Sequence, residues 1–153
     1  MVTDNTLEIN LDTWIISDTH FFHENIGRYC NRPENWQELI IKNWNDLVSP
    51  DETVLHLGDF ALGNKSNFDL LAGMLNRRLV LIQGNHDRIS KSYCETRSVI
   101  LIKNSLNVEI SDQMKLIFSV NMSVEVREYR PWRLGDILKS IKDHPTENEV
   151  SLR

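Results

Sequence analysis

Three short runs of apolar residues stand out along the first half of the chain: Thr13 to Ser17 (TWIIS), Thr53 to Gly58 (TVLHLG) and Leu79 to Gly84 (LVLIQG). Each is rich in Ile, Val and Leu and does not alternate with polar residues, which is the pattern of strands buried on both faces. The stretches between them repeat at helical spacing instead. Asn35 with Glu38 reads as a capping box, and Trp36, Leu39, Ile40, Trp44, Leu47 and Val48 then form one apolar stripe until Ser49-Pro50 ends it. A second helix is expected from Ser66 to Asn76 with Phe68, Leu71, Ala72 and Leu75 inward, although Gly73 weakens it. Strand, helix, strand, helix, strand predicts parallel strands joined by right-handed crossovers, so the strands' C-terminal ends share one edge.

Polar residues collect at that edge. The first strand runs into Ser17-Asp18-Thr19-His20, the second into Gly58-Asp59 and the third into Gly84-Asn85-His86-Asp87. Ligands of open parallel sheets bind in the crevice beyond the strand C-termini, where these loops converge. A carboxylate and an imidazole from Asp18 and His20, a carboxylate from Asp59 placed to bridge, and the amide oxygen of Asn85 suit a pair of divalent transition-metal ions. Gly58 and Gly84 let the backbone approach closely. Taken singly, these residues have plainer readings. An Asp after a strand is usually a cap or turn residue, Gly84-Asn85 alone is a turn signal, and His23 with Glu24 reads as a cap or as the rim of the site. His56, inside the second strand, reads as a satisfied core histidine and is left out of the site. The metal reading rests on three strand ends carrying ligand-type residues in order.

Composition narrows the setting. A chain of 153 residues is one domain's worth, expected to bury roughly two thirds of its unfolded surface. The motif-bearing core spans about 13–131, followed by a helix and a polar tail over 132–153. A net charge of -5 lacks the basic footprint of a general nucleic-acid binder. Neither a leader-like start nor an apolar run of membrane-spanning length is present, so a cytoplasmic protein without membrane association is expected. Cys30 and Cys94, with no CxxC partner, read as two reduced, buried thiols.

The motifs "SDTH", "LGDF" and "GNHDR", in this order and spacing, resemble the first three signature motifs of the calcineurin-like metallophosphoesterases. "DTHFFHENI", "HLGDFALGN" and "NMSVEVREYRP" resemble a small bacterial and phage branch of that superfamily. The resemblance runs from about Thr13 to Pro131. It implies an α/β fold, the layered α/β/β/α sandwich, with a two-metal centre that hydrolyses a phosphomonoester or phosphodiester. By carry-over Asp18 and His20 ligate the first metal, Asp59 bridges, Asn85 ligates the second, and His86 is the general acid, oriented by Asp87. Manganese is the expected metal, with iron, zinc or nickel as alternatives. Two cations about 3.5–4 Å apart neutralise the phosphoryl oxygens and activate the attacking hydroxide, and a positioned imidazolium adds ~10²–10⁴-fold by protonating the leaving alkoxide.

The chain departs from the pattern after its third motif. The family's later motifs, a strand-end histidine and a Gly-His-x-His loop, are missing: Met114 to Ser119 is followed by Val120 and at once by "NMSVEV", and the one later histidine, His144, lies in the polar tail. Met114 to Arg127 holds neither Gly nor Pro and reads as two strands fused by loss of their connection, so the family's C-terminal part is shortened and the second metal is expected to be weakly held. His23, water or another subunit could complete that site. Alternatives stay open: a catalytically inactive derivative that binds metal or phosphate, a nuclease or cyclic-nucleotide phosphodiesterase, and a metal-free structural domain. The substrate is expected to be a phosphoester. Phe22, Arg28, Tyr29, Arg88 and Tyr93 suit a nucleotide or any aryl phosphate, and the strand edge near Val120 to Val126 offers pairing between subunits.

Overall fold

The computed structural model describes residues 9–62, 65–76, 78–83, 90, 92, 94, 99–103, 105–112, 114–119 and 126–143. The apolar runs form β1 (Trp14–Ile16), β2 (Thr53–His56) and β3 (Arg78–Gln83), joined in parallel and in chain order. A fourth parallel strand, β4 (Ile100–Lys103), extends the sheet beyond β3. On the far side β7 (Trp132–Arg133) pairs antiparallel with β1, giving the order β4-β3-β2-β1-β7. Between them in sequence, β5 (Ser105–Ser111) and β6 (Met114–Ser119) form a separate antiparallel pair. The helices are α1 (Glu24–Tyr29), α2 (Trp36–Leu47), α3 (Lys65–Met74) and α4 (Leu134–Asp143). The α/β class and the parallel-dominated central sheet agree with expectation.

Period-two alternation decides which layer each side chain joins. Trp14, Ile16, Val54, Leu79 and Leu81 face one way and pack with Trp36, Ile40 and Trp44 of α2 and with Phe68, Leu71 and Leu75 around α3. Ile15, Leu55, Val80 and Ile82 face the other way, against Leu106, Val108, Leu116 and Phe118 of the hairpin and Leu134 and Ile137 of α4. A helical layer, the main sheet, and a second β layer with α4 follow from these two clusters. No helix among the described residues is long and apolar enough to cross a membrane.

Several local expectations are corrected. Asn35 does precede α2, but its side chain makes no capping bond, so the capping box is not formed. Leu47 is exposed and leaves the apolar stripe, whereas Val48 stays in the core. The second helix stops at Met74, two residues early, because Asn76 has other partners: its N–H donates to Asn45 Oδ1 at 2.8 Å and its carbonyl accepts from Trp44 Nε1 at 2.7 Å. Of the two thiols, Cys94 is buried and Cys30 is exposed. Arg127 belongs to a 3-10 turn over Arg127–Tyr129 instead of a strand continuing from Met114, and the junction at 120–125 lies outside the described residues.

Pairing of β1 with β2 continues after both stop being regular strands. The N–H of Leu57 donates to Ile16 O at 2.9 Å, Asp18 N–H to Gly58 O at 3.0 Å, His20 N–H to Asp59 O at 2.9 Å and Phe21 N–H to Phe60 O at 2.9 Å. Beneath this ledge His56, the last residue of β2, is fully buried and satisfied at both ring nitrogens, as expected of a core histidine. Gly58 N–H donates to Nδ1 at 3.1 Å, so the ring proton sits on Nε2, 2.9 Å from Thr19 Oγ1. Burial, reinforced by His20 and opposed by Asp18, lowers its pKa to about 3.

A histidine neutral in the fold and protonated in the unfolded chain destabilises the fold as pH falls below about 6.5, until the folded pKa of about 3 is reached. Urea unfolding at pH 7.5 and pH 5 is expected to show the wild type losing about 2 kcal/mol more over that interval than His56→Leu. Equal losses in the two proteins would refute the assignment of a neutral His56.

Candidate metal centre

Asp18, His20 and Asp59 converge at the end of the β1–β2 ledge. Their ligand atoms all lie within 4.8 Å of one another, and all three residues are buried, at 0 %, 3 % and 5 % exposure. Asp18 Oδ2 accepts a 2.6 Å bond from Ser17 Oγ, which sets the carboxylate so that Oδ1 stands 3.7 Å from His20 Nε2. That spacing is too long for a hydrogen bond and short enough for both atoms to reach one ion between them. A divalent cation held among two buried carboxylates and an imidazole would offset their mutual repulsion and their removal from water. The donor set, two hard oxygens and one nitrogen, fits such an ion.

The backbone is committed to this arrangement. Asp18, His20 and Asp59 adopt left-handed conformations, with φ of 55°, 51° and 53°, and Phe22 follows at 66°. Left-handed non-glycine residues cost on the order of 1–2 kcal/mol each and cluster where surrounding structure over-determines them for function. Here the turning of alternate residues aims Asp18 and His20 at the same point, which an extended strand would not do so tightly. Gly58, at φ 113°, takes the one positive φ among these ledge residues that a side chain would most resist. The strain is held from behind. Arg32, buried, donates from both terminal nitrogens, at 2.8 Å to Thr19 O and at 2.8 Å to Asp18 O, and stacks on Trp36 with its guanidinium carbon 4.5 Å from the ring centre. The N–H of Phe22 is held at 2.7 Å by Gln37 Oε1 of α2.

His23 realises both of its plainer readings. Its Nδ1 accepts from Ile26 N–H at 3.3 Å and caps α1, while its ring meets that of His20 edge-on at 5.8 Å. Of the remaining aromatic and basic candidates, Tyr29 and Arg28 are exposed on α1 and Phe22 is half-buried. Asn85, His86 and Asp87, like Arg88 and Tyr93, lie outside the described residues. Arg32 was not singled out from the sequence. An arginine directly before Pro33 in a polar connection gives no periodic or motif signal, and only its burial reveals the role.

Comparison with known proteins agrees with the geometry. The calcineurin-like phosphoesterase family matches residues 11–142. The chain is 34% identical over 163 aligned positions to the uncharacterized protein MJ1445 of Methanocaldococcus jannaschii, covering 84% of this chain and 90% of that one. It is also 34% identical over 82 positions to the Gene 66 protein of Mycobacterium phage L5, covering 50% of this chain and 40% of the phage protein. Among solved structures, AQ665 of Aquifex aeolicus, a protein of unknown function, superposes with a TM-score of 0.57 at 28% identity, over 69% of this chain and 57% of that one. With its motifs in order and its buried Asp-His-Asp group at the strand ends, the chain belongs to the calcineurin-like phosphoesterase family.

Proposed function

We propose that this protein is a metal-dependent phosphoesterase in which Asp18, His20 and Asp59 hold the principal cation, with Asp59 shared toward a second ion that also takes Asn85. The observation that carries the reading is the convergence of these three buried side chains within 4.8 Å at the C-terminal end of the parallel strands. Bound divalent metal supplies Lewis-acid neutralisation of phosphoryl charge and activation of the attacking water. The chain's own contribution is placement. Ser17 and Arg32 orient Asp18, and the β1–β2 ledge fixes Asp59 opposite it. In the same reading the His86 imidazolium gives its proton to the departing oxygen of the ester, and Asp87 holds that ring in the donating orientation. A phosphomonoester or diester, a nucleotide among them, is the substrate class.

A second reading, a derivative that binds metal or phosphate without turnover, draws support from the ligand set. Asp18, His20 and Asp59 are the one such group among the described residues, and the sequence offers the second ion only the shared Asp59 and a neutral amide. Manganese is the proposed metal, because mixed carboxylate and imidazole donors accommodate it and exchange it readily.

Three outcomes test the enzyme reading. Asp59→Asn is expected to lower bound metal, measured by elemental mass spectrometry, and to cut hydrolysis of bis-p-nitrophenyl phosphate more than ~10²-fold with circular dichroism unchanged; undiminished metal content would sink the bridging role. His86→Ala is expected to keep its metal and slow kcat by ~10²–10⁴-fold on an alkyl ester, but far less on a nitrophenyl ester, whose leaving group needs no proton. Protein purified without chelator is expected to retain one equivalent of metal through gel filtration and to need added Mn²⁺ for turnover. Two tightly held equivalents and full activity without added ion would show that unidentified residues complete the second site, whereas absence of turnover at saturating Mn²⁺ favours the binding-protein reading.

A further inference from the structure

The three candidate ligands sit on two different loops, and alongside the backbone pairing a buried hydroxyl bonds across from one loop to the other. Thr19, the residue between Asp18 and His20, is fully buried. Its Oγ1 lies 2.9 Å from His56 Nε2 and 2.7 Å from the carbonyl oxygen of Phe60, and its own carbonyl accepts from Arg32 at 2.8 Å. Gly58 N–H occupies His56 Nδ1, so every donor in the series is determined: Gly58 N–H donates to His56, His56 Nε2–H to the Thr19 hydroxyl, and the hydroxyl to Phe60 O. The series begins and ends on the two neighbours of Asp59. It passes through the one residue that both Asp18 and His20 adjoin.

We infer that Thr19 and His56 are positioning residues that fix how far apart, and at what angle, the two halves of the ligand set stand. Metal affinity then depends on a hydroxyl that touches no ion. Three features support this beyond the bonds themselves. The ligands on either side of Thr19, and Asp59 across from it, are in left-handed conformations, which persist only where the surrounding structure over-determines them. Thr and neutral His give bonds of fixed direction here, where a wholly apolar joint would set spacing without angle. Phe60 packs edge-on against both His56, at 5.1 Å between ring centres, and Phe21, at 5.6 Å, which leaves the joint little room to slide. The inference rests on the reading of Asp18, His20 and Asp59 as metal ligands.

The test is calorimetric titration of the full chain, stripped of metal by a chelator, with MnCl₂, together with melting temperatures in EDTA. Thr19→Val keeps the shape but takes away the acceptor for His56 and the donor for Phe60; it is expected to weaken Mn²⁺ binding by ~10–100-fold, with Thr19→Ser staying within about threefold of the wild type. Thr19→Ser keeps both bonds but loses a buried methyl group, so its EDTA melting temperature should fall while its Mn²⁺ affinity stays near the wild type. A merely structural role predicts affinity falling in step with melting temperature in both variants, and that result would overturn the inference, as would an unchanged affinity in Thr19→Val. If Thr19→Val does not fold, Thr19→Ala measured against Thr19→Ser makes the same comparison. A wild-type chain that takes up no Mn²⁺ fails differently: it removes the ligand assignment, and the inference with it.

Discussion

The backbone pairing between β1 and β2 does not end where the strands end, and the candidate site exists because of that continuation. Parallel strands normally diverge into unrelated loops at their C-termini. Here four further N–H to carbonyl bonds, from Leu57, Asp18, His20 and Phe21, hold the two loops side by side while alternate residues turn left-handed. The turned residues lose the regular strand direction but keep their hydrogen bonds, so the buried backbone remains satisfied. The polar side chains gain a common focus. Loosening the ledge would restore ordinary φ angles at three positions and scatter the ligands.

Support for the ledge comes from both sides and in different forms. Below it, neutral His56 and Thr19 connect the loops through directed bonds. Behind it, Arg32 brings a permanent positive charge to the carbonyls of Asp18 and Thr19, and its stacking on Trp36 couples the ledge to α2. The charge also has an electrostatic sense, since it stands on the Asp18 side of a group carrying two carboxylates. Trp36 is itself seated closely: a methyl group on Gly27 of α1 would come within 2.7 Å of its indole nitrogen. α1 therefore has to present a bare backbone at that point for the Trp36 and Arg32 stack to form.

Much of this was legible beforehand, and the part that was not has physical reasons. Fully buried parallel strands advertise themselves as apolar runs, so β1, β2 and β3 and the shared polar edge could be read directly, as could Trp36, Ile40 and Trp44 as the inner face of α2. The half-buried β5 carries a weaker signal: Leu106, Val108 and Ile110 alternate with Asn107 and Glu109, and residues of these polar types also suit a loop. The capping box failed because Asn35 and Glu38 satisfy a spacing but not a geometry, and propensity does not fix a side-chain rotamer. Asp18, His20 and Asp59 were identified by type and position. Their left-handed backbone, and the supporting roles of Arg32 and Thr19, come from long-range contacts that leave no trace in local pattern.

The placement of β7 bears on how the chain acquires this architecture. β1 lies between β2, some forty residues later, and β7, paired through Trp14 with Arg133 and so 119 residues away in sequence. During synthesis the strand that carries the first two ligands is thus among the earliest made and the last to have both edges covered. Until Arg133 leaves the ribosome, β1 offers an unpaired apolar edge next to an assembled parallel sheet, the state in which strands recruit foreign partners. Among the described strands, the order of the sheet makes the one latest in sequence a guard for the earliest.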